Sequence, residues 1–349
     1  MSRQPARWGV NIDPYVSVIM PVRNEAQYIE RAIASIVRAG EPAASFEIIV
    51  VDGMSDDGTR SLVAGLSARD KRILLRDNPQ RTVPHAMNLG IRSARGAVIV
   101  RIDGHAEIYP DFLEKCLLEL EAHPECACVG GPIENVDLDT GSAAISLAMG
   151  SKFGVGTARF RTGGDEGYVD TLAFGAYRKD DLVAVGLFDE ALVRNQDDEM
   201  NFRLIKAGRK IWFSNSIRSR YFVRSSLSKL FRQYFQYGYW KVYVNRKHGQ
   251  FTNLRQLAPP LLVASLAVLL LASPFLAIAR VLLVTELLVY FSAATLMAFR
   301  LTSGPRKALA VVKAFITLHG SYGLGYLAGV RDFLLLGRLP GAGSTELSR

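Results

Sequence analysis

The stretch VSVIMPVRNEAQYIERAIASI, residues 16–36, opens the part of the chain that decides the fold. It begins with a short apolar, β-branched run and continues with isoleucines at helical spacing. This pattern predicts a buried strand followed by a helix, with Asn24 as the helix cap and Gly40 as its stop.

The same alternation occurs three more times, with apolar runs at residues 46–53, 72–77 and 97–103, each followed by a helical pattern. Four such alternations predict an α/β domain with a mostly parallel, Rossmann-like sheet that binds ligands at the carboxyl ends of its strands. The residues at these ends are Pro21, Asn24, Glu25, Asp52, Asp103 and His105.

The sequence gives no support to two common nucleotide-binding classes. No GxGxxG follows the first strand, and no GxxxxGK[ST] occurs, so neither a dinucleotide oxidoreductase nor a P-loop NTPase is supported. A nucleotide can be bound in another way. Asp52 can accept the N3 hydrogen of a uracil ring, and Asp103 can hold a divalent cation that bridges a diphosphate.

The last third of the chain is apolar. Residues 256–279 carry no charge and residues 281–299 carry only Glu286, and both runs approach the roughly 20 residues that span a bilayer. A buried helical hairpin in a soluble protein is the alternative.

A third apolar run, residues 308–330, either spans or re-enters the membrane. Its Gly-x-x-x-Gly spacing at Gly325 and Gly329 predicts close packing against a neighbouring helix.

The net charge of +9 is concentrated before the first apolar run. Thirteen Lys or Arg residues lie between Arg203 and Arg255, with no acid between Met200 and Thr285. Interleaved aromatic residues favour a lipid interface over nucleic acid, and the positive-inside rule places this block in the cytoplasm.

Two features bear on the compartment. No signal peptide opens the chain, so we expect a cytosolic first domain. The cysteines lack zinc-ligand spacing and are predicted to be reduced structural thiols: Cys116, Cys126 and Cys128.

Five motifs, taken in order, resemble those of the family 2 glycosyltransferases with the A-type nucleotide-sugar fold. They are VSVIMPVRNEAQYIERAIASI, IIVVDGMSDDGT, AMNLGIRSARGAVIVRIDGHA, GAYRKDDLVAVGLFDEAL and NQDDEMNFRLIKAGRKI, within residues 14–215. With the apolar runs, DGHA and NQDDE further resemble the membrane-anchored glucosyltransferases of succinoglycan-type exopolysaccharide assembly. The resemblance implies inverting transfer of one sugar from a nucleotide-diphospho-sugar.

The metal motif departs from the family pattern of Asp-x-Asp. The resemblance implies a metal site at Asp103 and His105, with imidazole replacing the second carboxylate. Imidazole adds no negative charge, so the site should hold the cation less tightly and favour Mn²⁺ relative to Mg²⁺. An ordinary turn, with Gly104 at positive φ, is the alternative.

The motif NQDDEM departs from the family's Glu-Asp-x-Asp. The resemblance implies that Asp197 is the catalytic base that accepts the proton of the acceptor hydroxyl, with Asp198 as the rival. Acids in a first helical turn can also serve only the helix dipole.

Three residues have two interpretations each. Asn88 corresponds to a family position in the nucleotide pocket, or it is a packing detail. Gly175 and Tyr177 lie where the family's acceptor loop runs, or they belong to a core strand.

Residues 232–241 partly match the Gln-x-x-Arg-Trp motif of processive synthases. Tyr239 replaces the arginine, which argues against processive polymerisation. We predict an amphipathic interface helix that presents a lipid-linked acceptor, or a simple membrane anchor. Its predicted acceptor-side residues are Arg232, Gln236, Trp240 and Lys241.

These observations predict a transferase domain (1–215), an interfacial segment (216–255), a membrane domain of two to three spans (256–335) and a tail (336–349). The expected activity moves one hexose from a UDP-sugar to a polyprenyl-diphosphate-linked saccharide. The expected location is a bacterial-type inner membrane, multi-pass, with the catalytic domain in the cytoplasm.

Two other functions stay open. A polyprenyl-phosphate sugar synthase would share the catalytic domain but use a bare lipid phosphate. A non-catalytic membrane scaffold would not need Asp52, Asp103 and Asp197, which are all present.

Overall fold

The computed structural model of the protein describes residues 15–40, 45–137, 140–223, 226–251 and 254–340. For residues 140 and 141 the description covers the backbone only. Residues 1–14 of the predicted transferase domain and 341–349 of the predicted tail lie outside this description. The chain forms two compact units. Unit 1 comprises the residues up to Glu134, Gly163–Ala191 and Gln196–Tyr221, and unit 2 comprises Asn135–Thr162, Leu192–Asn195 and the residues from Phe222 onward.

Unit 1 contains the β-sheets, although β7 and β11 run slightly past its ends. The strands are β1 (Val16–Val22), β2 (Phe46–Asp52), β3 (Ile73–Asp77), β4 (Val98–Arg101), β5 (Ala106–Ile108), β6 (Cys126–Gly130), β7 (Ile133–Val136), β8 (Gly167–Tyr168), β9 (Gly175–Arg178), β10 (Lys210–Phe213) and β11 (Ser219–Phe222).

The helices are divided between the units. They are α1 (Ile29–Gly40), α2 (Thr59–Arg69), α3 (Val83–Ser93), α4 (Phe112–Ala122), α5 (Thr140–Met149), α6 (Lys152–Val155), α7 (Arg159–Thr162), α8 (Lys179–Ala184), α9 (Gln196–Lys206), α10 (Leu227–His248), α11 (Ala258–Ala272), α12 (Ala277–Leu301) and α13 (Pro305–Gly329). Unit 2 holds α5–α7 and α10–α13.

The larger sheet has eight strands in the order β3-β2-β1-β4-β9-β6-β10-β8, and a second sheet has the order β5-β11-β7. β1 is parallel to β2 and β4, and β2 is parallel to β3. β9 runs antiparallel to its neighbours β4 and β6. The predicted α/β class with a mostly parallel sheet is therefore confirmed, and the four predicted strands are present.

The strand order reverses direction between β1 and β4. The chain moves from β1 outward to β2 and β3, then returns to the other side of β1 as β4, and ligands bind at such a reversal. The β1–β4 pairing ends at Ile19 and Arg101. Pro21, which has no N–H to donate, lies beyond that point and pairs only with Val51 of β2.

The start of α1 differs from the prediction. Asn24 is not its cap, because the backbone of Asn24 is left-handed, with φ of 56°, and α1 begins only at Ile29. The side chain of Asn24 instead accepts a hydrogen bond from the N–H of Asp56 at 3.1 Å. The described part of α1 extends to Gly40, where an added Cβ would lie 2.4 Å from the ring of Phe46. Residues 41–44 lie outside the described residues, so Gly40 as the helix stop stays a prediction.

The three cysteines are buried and free, as predicted. Burial raises the pKa of Cys126 to about 11 and also raises the pKa values of Cys116 and Cys128. Thiols with raised pKa values stay protonated and unreactive at neutral pH.

Small residues bring α10 and α13 of unit 2 into close contact. A Cβ added to Gly325 would lie 2.0 Å from the carbonyl oxygen of Phe235, and one added to Gly329 would lie 2.6 Å from that of Tyr239. The predicted close packing at Gly325 and Gly329 is confirmed, and α10 is the neighbouring helix.

Two helical segments in the described part of unit 2 are long and apolar enough to cross a membrane, Leu254–Ala272 and Ala277–Leu301. Within this chain their side chains are largely uncovered, and Leu271 is 75% exposed. A helix in the core of a soluble protein would bury such surface. The third predicted run, in α13, is not among these segments and packs along α10.

The compact units do not follow the predicted sequence boundaries. Residues 135–162, which the sequence assigns to the transferase domain, pack with α13 in unit 2. One contact of this kind is the ring of Phe153, which meets the ring of Phe315 edge-on at 4.8 Å. The division into a transferase domain, an interfacial segment and a membrane domain stays a prediction.

The α10–α13 contact predicts the effect of a substitution at Gly325. Gly325→Val should destabilise unit 2 by about 1–3 kcal/mol, because the side chain overpacks against the backbone of Phe235. Thermal unfolding in detergent measures the loss. Gly320→Ala is the matched control, since an added Cβ meets nothing within 4 Å there. Equal unfolding temperatures for Gly325→Val and the parent would contradict the close approach.

Candidate active site

The carboxyl ends of β1, β2 and β4 lie side by side, and each carries polar residues that the sequence singles out. Asn24 follows β1, Asp52 ends β2 and Asp103 follows β4. The parallel order of these strands therefore brings together three of the predicted donor-binding residues at one edge of the sheet.

Asp52 is fully buried and supports the neighbouring loops. Its carboxylate accepts a hydrogen bond from the Ser55 hydroxyl at 2.5 Å and from the Ser55 N–H at 3.1 Å. The Ser55 hydroxyl oxygen in turn accepts the N–H of Asn24 at 2.9 Å. Asp52 thus fixes the loops after β1 and β2 relative to each other.

Asp57 makes a second hydrogen-bonded connection between the same two loops. One carboxylate oxygen accepts the N–H of Ala26 at 3.0 Å, and the other accepts the hydroxyl and N–H of Thr59. Burial acts to raise the pKa of Asp57, but these hydrogen bonds to the ionised form outweigh it and lower the pKa.

Arg101, the last residue of β4, connects two acids that the sequence assigned to different roles. Its Nε and Nη2 both donate to Oδ1 of Asp103 at 3.1 Å, and its Nη1 donates to Oδ1 of Asp197. The predicted metal ligand and the predicted base therefore meet at one guanidinium. Sequence reasoning missed Arg101, although a cation in an otherwise apolar strand needs a buried counter-charge.

Asp197 lies in the first turn of α9, and a second ion pair anchors that helix. Glu199 is fully buried and accepts from Nη2 of Arg203 at 2.8 Å, while Arg203 also donates to the carbonyl oxygens of Val185 and Leu187. The structure brings Asp197 to Arg101, and Arg101 does not bind the rival base Asp198.

His105 is buried and held by Glu25. The imidazole Nδ1 lies 2.9 Å from Oε1 of Glu25, and Nε2 has no hydrogen-bond partner among the described residues. An ionised Glu25 can only accept, so Nδ1 carries the hydrogen and a neutral ring leaves a lone pair on Nε2. Metal-binding histidines are commonly held by a carboxylate in this way.

The turn interpretation of DGH is partly right: the N–H of Ala106 donates to the carbonyl oxygen of Asp103 at 3.1 Å, which closes a turn, but Gly104 is not at positive φ. An added Cβ at Gly104 would lie 2.9 Å from the side chain of Val22 and 3.0 Å from that of Glu25. Glycine is required here because the loop after β4 passes close to the end of β1.

The residues fit a cation bound partly by the donor. The described residues contain no group of three or more acids, histidines or cysteines that could hold a metal alone. A cation in a nucleotide site is usually held by one or two protein ligands and by substrate phosphates. Asp103 and the oriented imidazole of His105 can supply these one or two protein ligands.

Asn88 does not join these residues. It is 2% exposed, and its amide donates to the carbonyl oxygen of Phe188 and to Glu190, both at 2.8 Å. Its oxygen accepts the N–H of Phe188 at 2.8 Å. These contacts agree with the packing interpretation, and none involves the end of β2 or β4.

Gly175 and Tyr177 lie in the core strand β9 rather than in a loop. Tyr177 is 1% exposed, and its hydroxyl donates to Oδ1 of Asn201 at 3.2 Å. Burial, with Cys128 nearby, raises the pKa of Tyr177 well above its usual value. A Cβ on Gly175 would lie 2.8 Å from the carbonyl oxygen of Val129. Their contacts match the core-strand alternative.

The four residues predicted on the acceptor side have different environments within unit 2. Arg232 is exposed on α10, and Gln236 accepts from Nε of Arg194 at 3.0 Å. Trp240 and Lys241 are each 1% exposed. Lys241, predicted on the acceptor side, is turned by α10 into the interior of unit 2, so its burial does not support a direct contact with a lipid headgroup.

Residues 17–185 match the family described as Glycosyl transferase family 2. The chain is 32% identical over 252 residues to the succinoglycan biosynthesis protein ExoA of Rhizobium meliloti, covering 72% of this chain and 76% of that protein. It is 30% identical over 247 residues to a Methanococcus voltae protein, covering 69% of this chain and 76% of that one. The latter is named dolichyl N-acetyl-alpha-D-glucosaminyl phosphate 3-beta-D-2,3-diacetamido-2,3-dideoxy-beta-D-glucuronosyltransferase.

One solved structure shares the fold over most of the chain. It is the mannosyltransferase PcManGT from Pyrobaculum calidifontis, in complex with GDP-Man and Mn²⁺, with a TM-score of 0.58 and 19% identity. The match covers 91% of this chain and 90% of that chain. At this identity the similarity concerns the fold.

The lowered pKa of Asp57 predicts a pH dependence of stability. A lowered folded-state pKa stabilises the fold above the unfolded value of 3.8, and that stabilisation is lost as the pH falls through the folded-state value. Asp57→Asn should therefore lower the unfolding temperature at pH 7, and its difference from the parent should shrink below pH 3.8. Asp56→Asn, at the exposed neighbouring carboxylate, is the control. A difference independent of pH would contradict this role.

Proposed function

The chain belongs to the family 2 glycosyltransferases, and we propose that it moves one sugar, with inversion, from a UDP-hexose to a lipid-linked saccharide in polysaccharide assembly. The observation that carries the proposal is the meeting of Asp103 and Asp197 at Arg101. A cation-binding carboxylate and a base must lie close together, because the diphosphate and the attacked carbon are adjacent in the donor.

Asp197 is proposed as the base. The acceptor hydroxyl attacks the anomeric carbon as the bond from that carbon to the diphosphate oxygen breaks, and the hydroxyl proton passes to the Asp197 carboxylate. Asp103 and His105 would hold a divalent cation, Mn²⁺ or Mg²⁺, which offsets the negative charge on the leaving diphosphate when it is bound.

The donor side is proposed to use Asp52 and the loop after β1. Asp52 would accept the N3 hydrogen of uracil, and Asn24 and Glu25 lie in the loop that Ser55 and Thr59 fix beside it. Asp52 would favour uracil over cytosine, because the N3 of cytosine presents only an acceptor to the carboxylate.

The acceptor is proposed to be a saccharide on a polyprenyl diphosphate. The two uncovered apolar segments suit attachment to a membrane, with several spans and a cytoplasmic catalytic domain. The name of the Methanococcus relative describes a dolichyl-linked sugar phosphate, which supports a saccharide-bearing lipid over a bare polyprenyl phosphate. Incubation with each lipid and thin-layer separation tests this choice, and product from the bare phosphate alone would reverse it.

The base assignment predicts opposite results for two neighbouring acids. Asp197→Asn should leave UDP binding intact and reduce kcat by about 10²–10⁴, the usual contribution of a general base. Asp198→Asn, the matched control, should stay close to the parent. Steady-state transfer from a radiolabelled UDP-sugar measures both. An inactive Asp198→Asn with an active Asp197→Asn would make Asp198 the base.

The uracil assignment can be separated from the loop contacts of Asp52. Asp52→Asn keeps one oxygen for the Ser55 hydroxyl but replaces the other, which accepts the Ser55 N–H at 3.1 Å, with an NH₂ group that cannot accept, so UDP affinity should fall about tenfold or more in calorimetry. Ser55→Ala removes the hydroxyl contact with Asp52 but keeps the backbone N–H contact and the carboxylate, so its loss of UDP affinity should be smaller. Equal losses would make Asp52 a loop support, and unchanged UDP binding in Asp52→Asn would contradict any contact with the base.

The acceptor proposal also predicts a role for the first turns of α10. Lys229 and Arg232 are exposed there beside Leu227 and Phe231, which suits an anionic headgroup layer. Neutralising Lys229 and Arg232 together should weaken use of the lipid acceptor without changing hydrolysis of the UDP-sugar. Reconstituted enzyme of verified orientation, at limiting acceptor, measures both rates. If the variant and the parent use the lipid acceptor equally well, the only role left for these two cations is to set the membrane topology.

A further inference from the structure

Asp103 orients the guanidinium of Arg101 independently of the contact between Arg101 and Asp197. Its side chain is 6% exposed, and both Nε and Nη2 donate to the same oxygen of Asp103 at 3.1 Å. Two hydrogen bonds from one planar group set the orientation of its plane. The remaining edge, at Nη1, then faces Asp197.

The two carboxylate oxygens of Asp197 are in different situations. Oδ1 accepts from Arg101, whereas Oδ2 has no hydrogen-bond partner among the described residues. The side chain is 22% exposed, so substrate can reach it. One oxygen is therefore held by the protein and the other is available to a hydroxyl group.

We propose that Arg101 is the positioning residue of the base: it fixes the rotamer of Asp197 through Oδ1, so that Oδ2 meets the acceptor hydroxyl. The inference rests on the proposed function in one respect, the identity of Asp197 as the base. Asp103 gains a second task, because it orients Arg101 in addition to its proposed part in cation binding.

The geometry also limits what can replace Arg101. A lysine ammonium is a single point charge and cannot bind Asp103 and Asp197 through a rigid fork. Methionine fills a similar volume but makes neither hydrogen bond. Arg101→Lys should therefore retain part of the function, and Arg101→Met should retain least.

Direct contact between Arg101 and the donor diphosphate is the rival role, since cations commonly stabilise phosphoryl oxygens. The two roles predict different kinetics. A positioning residue changes kcat and leaves the KM for the UDP-sugar nearly unchanged, whereas a donor contact raises that KM.

The experiment is a double-mutant cycle on the full-length enzyme with radiolabelled UDP-sugar. Arg101→Met should lower kcat about 10²-fold, the scale of a misplaced catalytic group, and Arg101→Lys should lose less. In the Asp197→Asn background, Arg101→Met should lower kcat by about twofold or less, because residues that act through one another are not additive.

Arg178→Met is the matched control for lost stability. Arg178 lies on the adjacent strand β9 and donates to the backbone oxygens of Cys126 and Leu120. It should lower the unfolding temperature without a comparable loss of kcat. The assays are run well below the unfolding temperature of every variant, so that partial unfolding does not enter the rates.

The outcomes separate the inference from the proposed function. An active Asp197→Asn would overturn the base assignment and, with it, the role of Arg101. An inactive Asp197→Asn with additive losses in the double variant would overturn positioning by Arg101 and leave the base in place. A raised KM with unchanged kcat in Arg101→Met would make Arg101 a donor contact.

Discussion

The active-site edge depends on one buried cation. Arg101 lies at the end of the central strand β4, where water cannot solvate it, and its charge is balanced by Asp103 and Asp197. Removing one partner of a buried ion pair typically costs about 3–5 kcal/mol, because the remaining charge is left uncompensated. The end of β4 and the start of α9, 96 residues apart in sequence, are therefore held together as the fold forms.

The other loops at this edge are fixed by the same kind of contact. Carboxylates at the ends of strands and in the loops that follow them accept hydrogen bonds from nearby groups, as Asp52 does from Ser55 and Asp57 does from Thr59. Glu25 does so for the imidazole of His105. These backbone and side-chain donors have hydrogen-bond partners before substrate binds, so little free energy is needed to order the site during binding.

The parallel block was predictable because each strand is a short apolar run that ends in a polar residue, and such ends meet at one edge of a parallel sheet. The role of Arg101 could not be predicted from the residues around it in the sequence, because its partner Asp197 is distant in sequence. The burial of Trp240 and Lys241 could not be predicted from the sequence for another reason. A run of cations and aromatics predicts an interface on average, but the helix face that packs against α13 depends on where its glycines lie.

The arrangement of the metal ligand and the base is tested most directly by crystals grown with UDP and Mn²⁺, with data collected at the manganese absorption edge. We expect an anomalous peak at the carboxylate of Asp103, with Arg101 still hydrogen-bonded to Asp197. A manganese ion bound away from Asp103, or Asp197 turned out of reach of Arg101, would contradict it.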